Sequence, residues 1–226
     1  MSSDEPHGDA SFSPRRVPTQ RPGPSGGRRD QNRRMRTDAL CRAGLDLFLA
    51  RGIEGVTVDE IARAAGTAKG NFYRYVQDKE DLVAALLAPL EEEFIDLFAK
   101  CEADLAAADS VAAQTAAYTK MALELLMTVG RHRDVVRLYL QESRAPAEGA
   151  RAPLSRFETW ITERAIMLTR VAHKRGLLKE IAPEVSALAV LGAAERLLLA
   201  QLRDNAFDNE AQAVTDLIRL IMGGLS

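Results

Sequence analysis

Four polar side chains between positions 69 and 75 have the chemistry of a nucleic-acid contact. Lys69 offers a positive charge to a phosphate, and Asn71 carries an amide that can pair with adenine in the major groove. Tyr73 and Tyr75 add aromatic hydroxyl groups. The pattern predicts a short DNA-binding element, provided that all four side chains face solvent.

The neighbouring residues predict a helix that keeps these groups outside. Phe72 and Val76 are one turn apart, so they can pack inward together. Gly66 suits the left-handed backbone that ends a preceding helix, and Thr67 can cap the helix that follows.

The elements on either side complete a helix-turn-helix pattern. Thr57 and Glu60 have the spacing of a capping box, which predicts a helix from about Val58. Asp78 resembles the N-cap of a third helix, and Lys79 would stand at its N-terminus, where a phosphate could reach both its ammonium group and the helix dipole. This order of helices is typical of a DNA-binding helix-turn-helix.

Residues 62–82 read A-x-x-A-G-x-x-K-G-x-F-Y-x-Y-x-x-x-K-E-x-L, a pattern that resembles the TetR family of transcriptional regulators. The similar stretch extends from about Arg33 to Leu87 and implies a three-helix DNA-binding head. Two positions depart from the family pattern: Val76 stands where phenylalanine is usual, and Asn71 stands where a small hydroxyl residue is common. The second departure implies an altered sequence preference.

The resemblance implies that the head binds a double-stranded DNA operator. The expected major-groove contacts are Lys69, Gly70, Asn71 and Tyr73. Gly70 would permit close approach, and Asn71 would read a base. The groups expected to hold phosphates are Arg34, Thr57, Thr67, Tyr75 and Lys79.

Charge is distributed unevenly along the chain. The net charge is −2 over 226 residues, yet residues 1–80 contain 14 basic and 11 acidic side chains, against 16 and 21 in the remainder. A DNA phosphate responds to the local patch rather than to the total. The distribution agrees with a basic head and an acidic body.

The first 30 residues predict a disordered basic arm, because they hold five of the nine prolines and scarcely any large apolar group. We interpret the part before Arg28 as a solvated tail. The arginines nearest the first helix are expected to contact phosphate or an adjacent minor groove. The predicted parts are the arm at 1–30, the helix-turn-helix domain at 31–80, and a helical regulatory and dimerisation domain at 81–226.

The predicted fold is all-α, with about nine helices, because no stretch alternates convincingly with a period of two. The first helix is expected at about 32–50, with Leu40, Gly44, Leu47 and Phe48 facing inward. Beyond the head, helices are expected from 79 past 100 and at about 110–129, 134–143, 153–176, 183–204 and 209–222. Pro89 predicts a kink or break, and Gly130 and Gly223-Gly224 are expected to end two helices.

The last two helices favour a homodimer. Nearly every position between Val185 and Leu202 is apolar, so this helix needs neighbours on two sides. The last helix carries an apolar stripe of Val214, Leu217, Ile218 and Ile221. Both faces could be internal core, but pairing similar to the family's usual dimer would place two heads one DNA turn apart, roughly 34–36 Å.

The resemblance also implies a small-molecule effector. Candidate pocket residues in the middle helices are Tyr118, Met121, Leu125, Tyr139, Trp160, Arg164 and Met167. They combine an apolar lining with a few polar groups, the usual composition of a small-molecule site. The same aromatic and methionine pattern is also typical of plain helical core, so both interpretations stay open.

Other functional classes find little support. Uninterrupted apolar stretches stop near about ten residues and no secretory signal is recognisable, so a cytoplasmic protein without a membrane span is expected. Cys41 and Cys101 are read as small core residues rather than as a disulfide or metal ligands. The three histidines are scattered and no catalytic motif is present, so neither an enzyme nor a metal or cofactor site is expected.

These features predict a ligand-responsive transcriptional repressor that binds a palindromic operator as a homodimer. The alternative is a DNA-organising or interaction protein that uses the same head without an effector pocket.

Overall fold

The computed structural model describes residues 27–175 and 181–225. This part of the chain forms nine α-helices and no strand, which confirms the predicted all-α fold. The helices are α1 (Arg28–Arg51), α2 (Val58–Ala64), α3 (Lys69–Tyr75), α4 (Lys79–Ala107), α5 (Val111–Arg131), α6 (Arg133–Glu142), α7 (Ala152–Lys174), α8 (Pro183–Asp204) and α9 (Glu210–Leu225). A 3-10 turn, Gly149–Arg151, precedes α7. The predicted arm lies almost wholly outside the described residues, as does the predicted helix stop at Gly176.

Local capping sets the ends of the head helices. The Glu60 N–H donates to Thr57 Oγ1 at 3.3 Å and the Thr57 N–H donates to Glu60 Oε2 at 2.8 Å, which is the predicted capping box of α2. Gly66, between α2 and α3, has the expected left-handed backbone with φ +68°. Asp78 Oδ1 accepts the Asp81 N–H at 2.8 Å and caps α4.

The buried apolar residues of the head belong to one hydrophobic cluster that continues into the body. Leu40, Phe48, Ile61, Phe72, Val76 and Leu82 are all buried in it. Gly44 faces the same core, and a Cβ added there would lie 2.7 Å from Leu82 Cδ2. A side chain at Gly44 would therefore force the Leu82 side chain to shift where α1 packs against α4.

Helix α4 connects the head to the body and is continuous through Pro89. Of the predicted kink or break at this proline, the break is wrong, and the kink stays a prediction. Proline removes one backbone donor, but Leu86, Leu87 and Leu90 are buried around it. Packing on both sides holds the two turns in one helix.

Two glycine stops predicted from sequence are also wrong. Helix α5 continues through Gly130 to Arg131, and α9 continues through Gly223 and Gly224 to Leu225. A helical glycine costs only about 1 kcal/mol relative to alanine, so it does not end a helix by itself. The segment after Gly130 turns at His132, which ends α5 and begins α6.

In the body, α4 packs against α5 and α7, α7 packs against α8, and α6 contacts α1 and α8. Within the described residues, α8 is the one helix whose length and composition would suffice to cross a membrane. The length of uninterrupted apolar runs did not predict this helix, because Glu195 and Arg196 interrupt its apolar sequence. These two charges leave the mean hydropathy of the helix high.

One face of α8 is uncovered. Val185, Leu188, Ala189 and Gly192 are exposed and recur at helical spacing, so they line one stripe. On α9, Val214, Leu217 and Ile218 are half-buried, and the side chain of Ile221 lies outside the described residues. A single chain thus leaves an apolar stripe open to solvent along α8.

Candidate nucleic-acid interface

Helix α3 presents the predicted inner and outer faces. Phe72 and Val76 are buried in the head core, whereas Lys69, Asn71 and Tyr73 are exposed. The Tyr73 ring is 54% exposed and meets Phe72 edge-on, with ring centroids 5.5 Å apart. One short helix therefore displays a cation, an amide and a phenol on a rigid base.

Gly70 lies on the outer face. A Cβ added at Gly70 would meet no other heavy atom within 4 Å. Folding of the head therefore does not require glycine at this position. The missing side chain leaves the α3 backbone open to a close approach from outside.

Thr67 does not cap α3, which corrects the prediction. Ala68 is the N-cap residue and makes no side-chain cap bond. Thr67 Oγ1 instead accepts from Asn71 Nδ2 at 3.2 Å. Thr67 therefore orients the Asn71 amide, whose remaining donor and carbonyl oxygen can pair with a base edge.

Tyr75 is half-buried against the head core, not fully outside as predicted. Together with Asn32, Met35, Arg36 and Ala39 it lines a groove of about 520 Å³. The sequence analysis did not connect Asn32 and Arg36 with this surface, although their four-residue spacing places them on one face of α1. The groove sets a phenol beside a guanidinium group at the edge of the head.

The ammonium group of Lys79 is already hydrogen-bonded within the protein and is not free as predicted. Its Nζ donates to the Ile53 carbonyl at 2.9 Å and joins the start of α4 to the corner between α1 and α2. An ammonium group has three donors, so a phosphate contact remains compatible with this bond. No sequence pattern predicts the contact with Ile53, because the two residues are 26 positions apart.

Thr57 and Arg34 complete the set of predicted phosphate contacts. The Thr57 hydroxyl donates to Glu60 Oε2 at 2.7 Å, and Arg51 Nη1 lies 2.8 Å from Glu60 Oε1. These bonds, first from Arg51 and then from Thr57, lower the pKa of Glu60 to about 2. Arg34 is exposed on α1.

Comparison with known proteins identifies the family. A family model described as bacterial regulatory proteins of the tetR family matches residues 40–86, the region from α1 into α4. The HTH-type transcriptional regulator TcmR of Streptomyces glaucescens is 35% identical over 80 residues, covering 35% of each chain. The transcriptional regulator AcuR of Cereibacter sphaeroides is 32% identical over 142 residues, covering 62% of this chain and 64% of AcuR. The region from α1 into α4 therefore matches the TetR family of transcriptional regulators.

The same fold is seen in a solved structure of a known repressor. NalD of Pseudomonas aeruginosa, described as the secondary repressor of the MexAB-OprM multidrug efflux pump, superimposes with a TM-score of 0.67 at 19% identity. The likeness covers 86% of this chain and 98% of NalD. The sequence matches to TcmR and AcuR each cover less than two thirds of those proteins.

The predicted effector residues are dispersed over the core of the body. Tyr118 donates to the Leu168 carbonyl at 2.8 Å, and Tyr139 donates to Glu195 Oε1 at 3.1 Å. Burial raises the pKa of both phenols. Trp160 meets Phe98 edge-on at 5.3 Å between centroids.

The other candidates are half-buried around this aromatic cluster. The Arg164 guanidinium lies 5.8 Å from the Trp160 ring centroid and 3.4 Å from Glu102 Oε1. Met121, Leu125 and Met167 are partly exposed. None of the seven lines a groove of about 770 Å³ on one face of α5, which is formed by Ala112, Thr115, Ala116, Thr119, Lys120, Leu123, Glu124 and Met127. Their role in effector binding stays a prediction.

Four buried side-chain polar atoms of the body lack a hydrogen-bond partner among the described residues: Gln114 Oε1, Arg137 Nε, His173 Nε2 and Ser186 Oγ. Such atoms are uncommon in folded proteins and mark places where a ligand can supply the missing bond. Gln114 was not a sequence candidate, because nothing in its spacing separates it from a surface glutamine. The thiols of Cys41 and Cys101 are mainly desolvated by burial, which raises the pKa of each to about 11.

Proposed function

We propose that this protein is a cytoplasmic, ligand-responsive transcriptional repressor of the TetR family that binds a palindromic operator as a homodimer. The observation that carries the proposal is the outer face of α3, where Lys69, Asn71 and Tyr73 are exposed above a buried Phe72. A stable protein has little other use for such a face at the tip of a capped helix-turn-helix.

In this proposal α3 enters the major groove. Asn71 reads a base with an amide oriented by Thr67, and Gly70 lets the backbone approach the bases. Arg34, Thr57, Thr67, Tyr75 and Lys79 hold phosphates and fix the register of the head on the duplex.

The dimer forms through α8 and α9. The exposed stripe of Val185, Leu188, Ala189 and Gly192 combines apolar and small side chains, which allow a second helix to pack closely. A second copy related by a two-fold axis covers the stripe with the same residues. We propose that a partner protomer, rather than lipid, covers the apolar surface of α8.

The body is proposed to respond to a small molecule. The unpaired Gln114 Oε1 and Arg137 Nε offer buried polar atoms that an effector could satisfy. The description of NalD as a repressor supports repression rather than activation. A ligand shifts the equilibrium between two conformations by the difference in its affinity for them. An effector that binds more tightly to a conformation with a different head spacing would therefore release the protein from the operator.

Selection of bound DNA from a random pool tests the proposal. We expect an inverted repeat whose half-sites are centred about one helical turn apart, roughly 34–36 Å, saturated by one dimer. Unlimited coating of DNA without a recovered motif would contradict it and would favour a DNA-organising protein.

Two variants of α3 sharpen this test. Asn71→Ala should relax base preference at one position of each half-site, by about 1–3 kcal/mol of discrimination. Gly70→Ala should stabilise the fold by about 0.5–1 kcal/mol, because it removes backbone entropy from a helix, while it weakens operator binding. A Gly70→Ala protein with unchanged operator affinity would remove close backbone approach from the proposal.

A promoter carrying the selected operator tests the direction of control. Expression from this promoter should rise when the gene for the protein is deleted. Candidate effectors are ligands that raise the melting temperature of the dimer and lower its operator affinity. A fall in expression on deletion would contradict repression.

A further inference from the structure

A buried carboxylate joins the body to the head. Glu142 is the last residue of α6 and is only 8% exposed. Its Oε1 accepts the backbone N–H of Ile53, at the corner between α1 and α2, at 3.3 Å. Its Oε2 accepts from Arg151 Nε at 2.6 Å. The acid therefore connects residues 89 positions apart in the chain.

Arg151 extends the same contact to a second head residue. This arginine lies on the 3-10 turn before α7, and its Nη1 is 3.4 Å from Glu54 Oε1. The head corner is thus held by a backbone hydrogen bond to Glu142 and by an ion pair to Arg151. We call Glu142, Arg151, Ile53 and Glu54 the corner latch.

The backbone of the corner is shaped for this contact. Gly52 has φ +76°, and a Cβ added there would lie 3.0 Å from Glu142 Oε1. A side chain at Gly52 would therefore be strained and would press on the carboxylate. From the other side, Lys79 Nζ holds the Ile53 carbonyl.

Burial makes the corner latch resistant to rotation of the head. A buried ion needs partners for its charge and lone pairs, and Glu142 obtains one of them from the head. Any movement that withdraws the Ile53 N–H leaves the carboxylate short of a donor in a place that water reaches poorly. The contact therefore favours one angle between head and body.

Helix α6 carries this constraint to the proposed dimer helix. One turn before Glu142, the Tyr139 hydroxyl donates to Glu195 Oε1 on α8 at 3.1 Å. Hydrogen bonds at two positions of one short helix thus connect the head corner to α8. Hydrogen-bond networks and rigid helices of this kind can carry energetic coupling between distant sites.

We propose that Glu142 is a positioning residue that fixes the angle of each head on the dimer and so sets the half-site spacing that the protein accepts. The proposal rests on the proposed function, because spacing has meaning only for a dimer on a two-part operator. Glu142 touches no DNA in this account and acts through the corner latch.

An operator series with one base pair added or removed between the half-sites tests the proposal. Wild-type protein should bind the altered operators at least about tenfold more weakly than the selected one, because each added pair displaces and rotates one half-site. Glu142→Gln offers one acceptor where the carboxylate offers two, so one latch bond is lost. We expect this variant to reduce the spacing penalty to about threefold or less, with an unchanged salt slope because phosphate contacts are retained.

Matched variants separate positioning from stability. Glu54→Gln removes only the exposed outer pair of the latch, so it should fold normally and reduce the spacing penalty by a smaller factor. Asp104→Asn breaks a comparable 2.8 Å pair with Lys120 that does not touch the head, and it should leave the penalty unchanged. If Glu142→Gln and Glu54→Gln fold and keep the full wild-type penalty, the proposal is overturned.

A measurement without DNA distinguishes failure of this proposal from failure of the proposed function. Spin labels at the exposed position Arg74→Cys report the distance between the two heads of a dimer. The distance distribution should be broader in Glu142→Gln than in wild type and unchanged in Asp104→Asn. If the distance distributions of wild type and Glu142→Gln are equally wide, the role of the corner latch is contradicted, even if the protein binds its operator strongly. If Glu142→Gln broadens the distribution but no operator is found, only the proposed function is contradicted.

Discussion

The head and the body of this protein differ in how completely a single chain covers their apolar surface and pairs their polar groups. In the head, neighbouring residues such as Thr57 with Glu60 and Asp78 with Asp81 cap the helices, and the core is closed. In the body, α8 keeps an exposed apolar stripe, and Gln114 and Arg137 bury polar atoms without partners. One chain alone completes the surface of the head, whereas in the proposed function a second protomer and a ligand complete the body.

The difference assigns separate tasks to the two regions. A closed head keeps its recognition surface rigid, which is what base reading requires. An open body leaves room for alternative packing arrangements that a ligand can select.

The buried and exposed aromatic residues of α3 should respond in opposite ways. Phe72→Ala removes a ring from the closed head core and should lower the free energy of unfolding by about 3–5 kcal/mol. Tyr73→Ala, its exposed neighbour, should change stability by no more than about 0.5 kcal/mol while weakening operator binding. Urea unfolding and DNA titration of both variants provide the measurements. A stable Phe72→Ala protein would show that the head is not closed by this residue.

A charge on the open stripe of α8 should separate the protomers. Leu188 is 53% exposed in the single chain, and Leu188→Glu would bury a carboxylate in the proposed interface. We expect the dimer dissociation constant to rise at least about thirtyfold, the effect of losing an interface hot spot. Ile95→Glu on α4 is the matched control, because Ile95 is 52% exposed but lies outside the stripe. Sedimentation showing equal dimerisation of both variants would contradict an interface through α8.

Substitutions of two lysines at the head surface should distinguish a role in phosphate binding from a role in protein stability. Lys69→Ala and Lys79→Ala should each flatten the salt dependence of operator binding by about one unit, if each neutralises one phosphate. Lys79→Ala should also lower stability by about 1 kcal/mol, because the Ile53 carbonyl loses its donor. An unchanged salt slope for Lys79→Ala would limit that residue to a structural role.

The capping carboxylate of α2 should give the smallest effect, visible as a pH dependence. The pKa of Glu60 is lowered from 4.5 to about 2 in the folded protein. Its contribution to stability is therefore fully present above about pH 4.5 and is lost as pH falls towards 2. The stability difference between wild type and Glu60→Gln should narrow between pH 7 and pH 3, measured by urea unfolding. Glu92→Gln, at an exposed site on α4, is the control, and a difference that does not change with pH would contradict the assignment.

Sequence reasoning succeeded where the deciding interactions are local. The capping box at Thr57, the left-handed Gly66 and the inward pair Phe72 and Val76 each depend on residues within one or two turns. The start and end of α8 at Pro183 and Asp204 were likewise predicted from punctuation near the helix ends.

It failed where distant contacts decide the structure. Lys79 reads as a free helix-terminal cation until the Ile53 carbonyl, far away in the chain, is brought beside it. Glu142 reads as one of several charges on a solvated face, although the fold buries it against the head. Pro89 reads as a helix break because the buried leucines that support the helix belong to tertiary packing.

Methylation interference on the selected operator tests most directly whether α3 reads DNA. The N7 atom of guanine lies in the major groove, and the N3 atom of adenine lies in the minor groove. Methyl groups at guanine N7 should block binding in two patches one helical turn apart, and Asn71→Ala or Gly70→Ala should weaken the block within those patches only. Interference confined to adenine N3, or spread evenly along the duplex, would contradict the account.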